Sequence, residues 1–167
     1  MKHTLTLNVD NQPGVLARIV GLISGRGYNI ETLNVGPTQD PAVSRMTMQV
    51  PGDDRVLEQV TRQLAKLVDV RSVTDLTTRN FINRELLLIK VAAPRERRSE
   101  IIELVGLFDG TIISVHRAEM VLQVAGDKEK LRAMLALLEP LGILDLVRTG
   151  VIAIERETTD HGGRDEG

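Results

Sequence analysis

Two short segments contain the residues best suited to hold a small ligand. The first is residues 10–15 (DNQPGV) and the second is residues 26–30 (RGYNI). Asn11 and Asn29 each carry a hydrogen-bond donor and an acceptor on one side chain, and Gly14 leaves the backbone open to a ligand. If the first segment begins a helix, its unpaired N–H groups lie at the positive end of a dipole and favour a carboxylate. With Asn11 accepting from an ammonium group, the pair of segments suits a free α-amino acid.

Each of these residues also has a purely structural explanation. Asn11 is a good helix cap, Gly14 suits a tight turn, Gly27 suits the residue after a helix, and Asn29 is common in loops. Taken singly, these structural explanations are favoured. Only the combination of both segments within one strand-helix-strand frame favours a binding site.

The sequence contains no recognisable catalytic arrangement. Its three histidines, His3, His116 and His161, are scattered and have no partner at triad or metal-ligand spacing. No GxGxxG or GxxxxGK[ST] segment is present to hold a phosphate. The most basic run, PRERRSE at 94–100, mixes both signs of charge and is typical of a solvated helix start rather than a phosphate site. We therefore expect a binding or regulatory module without an active site or metal.

Composition excludes further classes of function. The chain of 167 residues has 21 Lys and Arg against 23 Asp and Glu, a net charge of −2, too balanced for a protein that binds nucleic acid electrostatically. One Tyr, two Phe and no Trp cannot supply the platforms on which a sheet stacks bases. With no Cys, the chain has no disulfide or thiol chemistry. The amino-terminal segment reaches Asn8 and Asp10 before any long apolar stretch, so we expect a cytoplasmic protein without a membrane segment.

Hydrophobic periodicity predicts the elements of the first half. Residues 4–9 alternate as a strand, and a helix follows, with Asp10 or Asn11 as cap, Pro13 in its first turn and an end at Gly25 and Gly27. The further predicted elements are strands at 30–35 and 44–50, a helix capped by Asp53 or Asp54 with a Glu58–Arg62 pair, and a strand at 70–76.

The same order of elements begins again after a polar run at 77–83. A strand at 85–91 precedes a helix that ends at Asp109 and Gly110; strands at 111–115 and 120–124, a helix capped by Asp127 and a strand at 146–154 follow. The prediction is an α+β fold with two tandem ferredoxin-like βαββαβ domains. Their predicted bounds are 1–78 and 85–157, with a linker at 79–84. The tail at 158–167 has no apolar anchor and is predicted to be disordered.

The candidate site in its strand-helix-strand frame resembles an ACT domain, a small-molecule sensor that binds amino acids at its dimer interface. The resemblance to one family extends much further. The chain resembles the regulatory small subunit of acetolactate (acetohydroxyacid) synthase over nearly its whole length except the tail. The stretches that carry the resemblance are NQPGVLARIVGLISGRGYNIETLNVGPT, VSRMTMQV, VLEQVTRQLAKLVDV, FDGTIISV and RTGVIAIER. RGYNIETLNVGPT followed by SRMT is the specific signature, whereas NxPG alone is weak.

The resemblance implies a function. A member of this family has no active site, but it activates a separate catalytic large subunit that uses thiamine diphosphate, magnesium and FAD. Free valine bound between the ACT domains of a homodimer lowers that activity in the biosynthesis of branched-chain amino acids. Residues that match Asn11, Gly14, Val15, Asn29 and Ile30 line the effector site, with Asn11 from one chain and Asn29 from its partner around one ligand.

Other functions stay open from the sequence. The chain fits an ACT-type sensor for another amino-acid pathway or regulator, which would not bind a catalytic subunit of acetolactate synthase. A small enzyme on a ferredoxin-like frame is disfavoured because an acid/base cluster is missing. A nucleic-acid-binding module is disfavoured by the scarcity of aromatic residues.

Overall fold

The computed structural model describes residues 1–157, and the predicted disordered tail at 158–167 lies outside the described residues. The chain divides into two compact units. We call Met1–Ile82 together with residues 153–157 the first unit, and Asn83–Ile152 the second unit. The predicted bounds of the two domains and the linker stay a prediction. A strand nevertheless begins at Phe81, within the segment predicted as linker.

The first unit has the predicted order of elements. Its strands and helices are β1 (Lys2–Asp10), α1 (Val15–Gly25), β2 (Thr32–Pro37), β3 (Val43–Pro51), α2 (Asp54–Leu64) and β4 (Val70–Asp75). The sheet order is β2-β3-β1-β4, and all neighbouring strands are antiparallel. One face of the sheet packs against α1 and α2 in a core that contains Leu5, Leu7, Ile19, Met48 and Val60, each 0% or 1% exposed.

The second unit repeats this plan. Its elements are the long strand β5 (Phe81–Ala92), α3 (Arg98–Leu107) after a 3-10 turn, β6 (Thr111–Val115), β7 (Glu119–Gly126), α4 (Lys128–Leu138) and β8 (Ile143–Arg148). A last strand, β9 (Ile152–Glu155), follows, and its residues 153–155 belong to the first unit. The order β6-β7-β5-β8 corresponds strand for strand to that of the first sheet. The predicted fold class, two ferredoxin-like α+β units with antiparallel sheets, is confirmed.

Helix caps explain why two of the helices begin where they do. The Asp53 side chain accepts from Val56 N at 2.9 Å at the start of α2, and Asp127 accepts from Lys130 N at 2.9 Å at the start of α4. The sequence predicts Asp127 as a cap and offers Asp53 as one of two candidates, beside Asp54. The predicted Glu58–Arg62 pair also forms, with 2.5 Å between the two charged groups.

Two predicted elements were wrong in detail. α1 begins at Val15, and neither Asp10 nor Asn11 caps it, because Gly14 at its start has a left-handed backbone with φ of +85°. Pro13 therefore lies before the helix. The single strand predicted at 146–154 is two strands, β8 and β9. They are interrupted at residues 149–151, where Gly150 has a left-handed backbone with φ of +77° and Leu86 N donates to the Thr149 hydroxyl at 3.1 Å.

The lengths and composition of the helices decide whether any of them could span a membrane. Among residues 1–157, no helix combines the length and the apolar composition that a bilayer-spanning segment requires. Within the same residues, no three His, Asp or Glu side chains are grouped closely enough to hold a metal ion.

Candidate functional site

The turn that leads from β1 into α1 opens its backbone at Gly14. This residue is exposed, and no side chain caps the helix there. Its positive φ of +85° is a conformation that residues with a Cβ adopt at a cost. A Cβ atom at this position would lie 3.3 Å from Arg18 Nη1. Glycine is therefore favoured by the local backbone, and it leaves the first-turn N–H groups, which an α-helix cannot pair internally, open to a ligand.

Asn11 is fixed next to this turn by the β2–β3 connection. Its backbone N–H donates to Ala42 O at 2.8 Å, and its side-chain Nδ2 donates to Pro41 O at 2.9 Å. The side chain is exposed although it is anchored. Because the amide nitrogen is used in this way, Oδ1 is the part of Asn11 that can accept a hydrogen bond from a ligand such as an ammonium group.

Val15 contributes to the turn through its backbone. Its side chain is only 2% exposed and belongs to the hydrophobic core of the first unit. Its backbone N lies 3.4 Å from Gln12 O, a long hydrogen bond. Val15 can therefore offer a ligand its N–H group, whereas its side chain is occupied in holding α1 against the sheet.

The far end of α1 positions the other two predicted site residues. Gly27, with φ of +77°, ends the helix, and Tyr28 N folds back to donate to Ile23 O at 3.3 Å. The Tyr28 hydroxyl donates to Gln59 Oε1 at 2.9 Å. The next residue, Asn29, is exposed, whereas Ile30 is half-buried and packs against the core.

The predicted residues form two groups within one chain. Asn11, Gly14 and Val15 lie at the start of α1, whereas Asn29 and Ile30 follow its end. An eleven-residue helix is about 16 Å long at ~1.5 Å per residue. One molecule the size of an amino acid cannot bridge that distance, so the predicted residues form two separate groups within one chain, which we call the candidate half-sites.

Two ion pairs flank the first half-site and are not indicated by the sequence analysis. Arg18 Nη2 lies 2.6 Å from Asp69 Oδ2, and Arg71 Nε donates to Asp10 Oδ1 at 2.7 Å. Arg18 comes four residues after Gly14, so both lie on one helix face, and this spacing is the one sequence pattern that places Arg18 near the candidate site. The acidic partner of Arg18 is 51 residues away in sequence, so no local pattern indicates it.

Comparisons with known proteins assign both halves of the chain. Residues 5–72 match the family model described as AHAS small subunit-like ACT domain, and residues 84–157 match that of the small subunit of acetolactate synthase. The chain is 47% identical over 157 residues to the acetolactate synthase small subunit of Aquifex aeolicus, covering 93% of this chain and 82% of the relative. It is 47% identical over 156 residues to a probable acetolactate synthase small subunit of Archaeoglobus fulgidus, covering 93% and 98%.

A solved structure supports the same assignment. The chain is similar to the crystal structure of the acetolactate synthase small subunit from Thermotoga maritima, with a TM-score of 0.86 and 36% identity. The match covers 95% of this chain and 99% of that one.

Proposed function

Because the chain belongs to the acetolactate synthase small subunit family, we propose that it activates the catalytic large subunit and makes it sensitive to valine. Members of the family are regulatory small subunits, and the ACT domain is the part suited to bind an effector. The observation that carries the proposal of valine binding is the left-handed, exposed Gly14 at the start of α1. It leaves backbone N–H groups where a carboxylate is favoured.

The electrostatics of this half-site match a zwitterion. The first turn of α1 presents the positive end of the helix dipole, worth about 0.3–2 kcal/mol for a carboxylate. Asn11 Oδ1 lies on an anchored side chain next to the same turn and provides an acceptor for the ammonium group. Burying the valine side chain adds about 1.5–3 kcal/mol. These contributions suit a metabolite sensor with reversible binding.

The second half-site is proposed to come from another copy of the chain. Asn29 and Ile30 lie beyond the far end of α1 and cannot reach a ligand at their own Gly14, so a homodimer through the ACT domains is the arrangement that completes the site. Two features support this dimer. β2 is one of the two edge strands of its sheet, with one edge able to pair. Val35 on β2 and Leu16 on α1 are 41% and 44% exposed although they are apolar.

The proposed pocket discriminates weakly between similar side chains. Valine and isoleucine differ by one methylene, which is worth about 0.8 kcal/mol, or a few-fold in affinity. Leucine branches one carbon later, and we expect its shape to be disfavoured. A coupling of about 1–3 kcal/mol between valine binding and the active assembly would shift the equilibria linked to the effector by about 5- to 150-fold.

The chemistry itself is proposed to lie on the catalytic subunit in the cytoplasm. That subunit is expected to hold the thiamine diphosphate, magnesium and FAD with which pyruvate is condensed to 2-acetolactate. Residues of this chain act on that reaction only through binding and through the effector.

The test is to mix the purified chain with the catalytic subunit and to follow pyruvate condensation with and without valine. We expect a higher rate with the chain present and a loss of that gain on adding valine. An unchanged rate on mixing would contradict the proposed activation, and activation that does not respond to valine would contradict the proposed effector.

A further inference from the structure

The first sheet has a polar face opposite the one that packs on the helices. β1 alternates between Leu5, Leu7 and Val9 in the core and Thr4, Thr6 and Asn8 on the other side. In the register of the sheet, Thr6 lies beside Thr47 on β3 and Thr74 on β4. Thr6 and Thr47 are each only 4% exposed. Hydroxyl groups are thus concentrated at the centre of this face and are largely removed from bulk water.

A cavity of about 300 Å³ opens on this polar face. Its walls include Thr6, Asn8, Arg45, Ser72 and Thr74 from three adjacent strands, and Glu155 from β9, which belongs to the same unit. Sites for small molecules usually begin at about this volume. The cavity therefore suits a compact metabolite and is too small for a nucleotide.

Of the described residues that line the cavity, one cation has no counter-ion. Arg45 is half-buried, and its Nη2 donates only a long hydrogen bond of 3.4 Å to Ala153 O. Within residues 1–157, Arg45 has no carboxylate at ion-pair distance. The acid in the wall, Glu155, is already paired with Arg79, whose Nη1 lies 3.1 and 3.2 Å from its two oxygens. A half-buried guanidinium without a counter-ion favours an anionic ligand.

The uncharged polar side chains that line the cavity can offer further hydrogen-bond donors to a ligand. Asn8 Nδ2 donates to Ser72 Oγ at 3.2 Å, which leaves the Ser72 hydroxyl hydrogen available for a ligand. The Thr6 and Thr74 hydroxyls donate or accept as the ligand requires. The forked N–H groups of Arg45 fit the two oxygens of a carboxylate, while the hydroxyls and Asn8 suit the oxygen of a neighbouring keto or hydroxyl group.

We propose that this cavity binds a small carboxylate anion bearing a keto or hydroxyl group, with Arg45 as its main anchor. The site lies on the sheet face opposite α1 and uses none of the residues of the proposed valine site. It is a second ligand site of the first unit and goes beyond the proposed function, so either can fail without the other.

The test is calorimetric titration of the full chain with pyruvate, lactate and inorganic phosphate, each separately. We expect saturable binding of pyruvate or lactate, and weaker binding of phosphate. No saturable binding of either carboxylate would overturn the proposal. Phosphate binding as tightly as the carboxylates would also overturn it, because it would identify a general oxyanion site.

Substitutions in the cavity wall test whether the carboxylates bind there. Arg45→Gln should weaken carboxylate binding at least tenfold, and Thr74→Val, which preserves side-chain shape, should weaken it several-fold. Arg62→Gln, on the exposed Arg62–Glu58 pair of α2, is the matched control and should leave binding unchanged. Thermal unfolding followed by circular dichroism shows that each variant is folded. If folded Arg45→Gln and Thr74→Val both bind the carboxylates as the unmodified chain does, the ligand lies elsewhere and the proposal is wrong.

Discussion

Arg18 and Asp69 form an ion pair across the entrance to α1, with Nη2 2.6 Å from Oδ2. The Asp69 carbonyl also accepts from Asp10 N at 2.8 Å. Residue 69 thus holds the chain on both sides of the candidate half-site, at the end of β1 and one turn into α1. Because Arg18 is 53% exposed, the ion pair itself contributes only about 0–1 kcal/mol. Its main effect is to position the turn that contains Gly14.

Changing Gly14 to Asp should remove the response to valine. A carboxylate there would occupy the region of the ligand carboxylate and would lie beside Arg18, whose Nη1 is 3.3 Å from the position that a Cβ atom would take. We expect at least a tenfold loss of valine affinity, about 1.4 kcal/mol or more, measured by calorimetry.

The matched control is Gly14→Asn, which has nearly the same shape without the charge. Asn tolerates the left-handed backbone at this position better than most residues do, so it should retain more affinity than Asp. Both variants should still activate the catalytic subunit. Equal heats of valine binding by Gly14→Asp and the unmodified chain would exclude Gly14 from the site.

Replacing Asn29 with Ala should weaken valine binding without unfolding the protein. Its side chain is exposed in the single chain, so its removal should change the free energy of unfolding by less than about 0.5 kcal/mol. In the proposed dimer it pairs with the ligand, and its loss leaves a polar group unsatisfied at a cost of about 1–3 kcal/mol. Calorimetry should show the loss for Asn29→Ala and none for Asn80→Ala, at a position that is also exposed. Equal affinity in the two variants would argue against a role for Asn29.

Much of the fold follows from local patterns, because apolar residues repeat every two residues along a half-buried strand and every three to four residues along a helix. The alternation in β1 and the helical spacing in α2 decide which side chains are buried, and both are readable from neighbouring residues. The start of α1 differs from the prediction because Asn11 and Pro13 are good residues for a helix start. The left-handed Gly14 overrides them, and a residue's φ cannot be read from its type alone.

The candidate site was predictable only in part. Asn11 and Gly14 are close in sequence, and the structure places them at one turn. The tertiary partners that fix this turn, such as Asp69 and the Pro41 carbonyl, are 51 residues from Arg18 and 30 residues from Asn11. Val15 is ambiguous for another reason. A valine suits a ligand pocket as well as a core, and only the packing in the structure shows that its side chain is buried.

Loss of the α4 cap should destabilise the second unit. Asp127 accepts from Lys130 N at 2.9 Å, and replacing it by Ala leaves that N–H group unpaired by a side chain. We expect a cost of about 0.5–2 kcal/mol in the free energy of unfolding, measured by urea denaturation. Asp127→Asn retains a good cap and should cost less than Asp127→Ala. An Asp127→Ala protein with the unfolding midpoint of the unmodified chain would show that the cap contributes nothing.

A lysine at Val35 should separate the proposed dimer. Val35 lies on β2, an edge strand of its sheet, and is 41% exposed. A charged residue on an edge strand opposes pairing with another strand, and Val35→Lys also removes apolar area from the proposed interface. Sedimentation velocity over a range of concentrations should show at least a tenfold weaker dimer. Valine affinity should fall with it, because the two half-sites no longer meet. Val68→Lys, at a position that is 93% exposed in the turn before β4, is the control and should leave both properties unchanged. A Val35→Lys protein that dimerises like the Val68→Lys control would place the dimer contact on another surface.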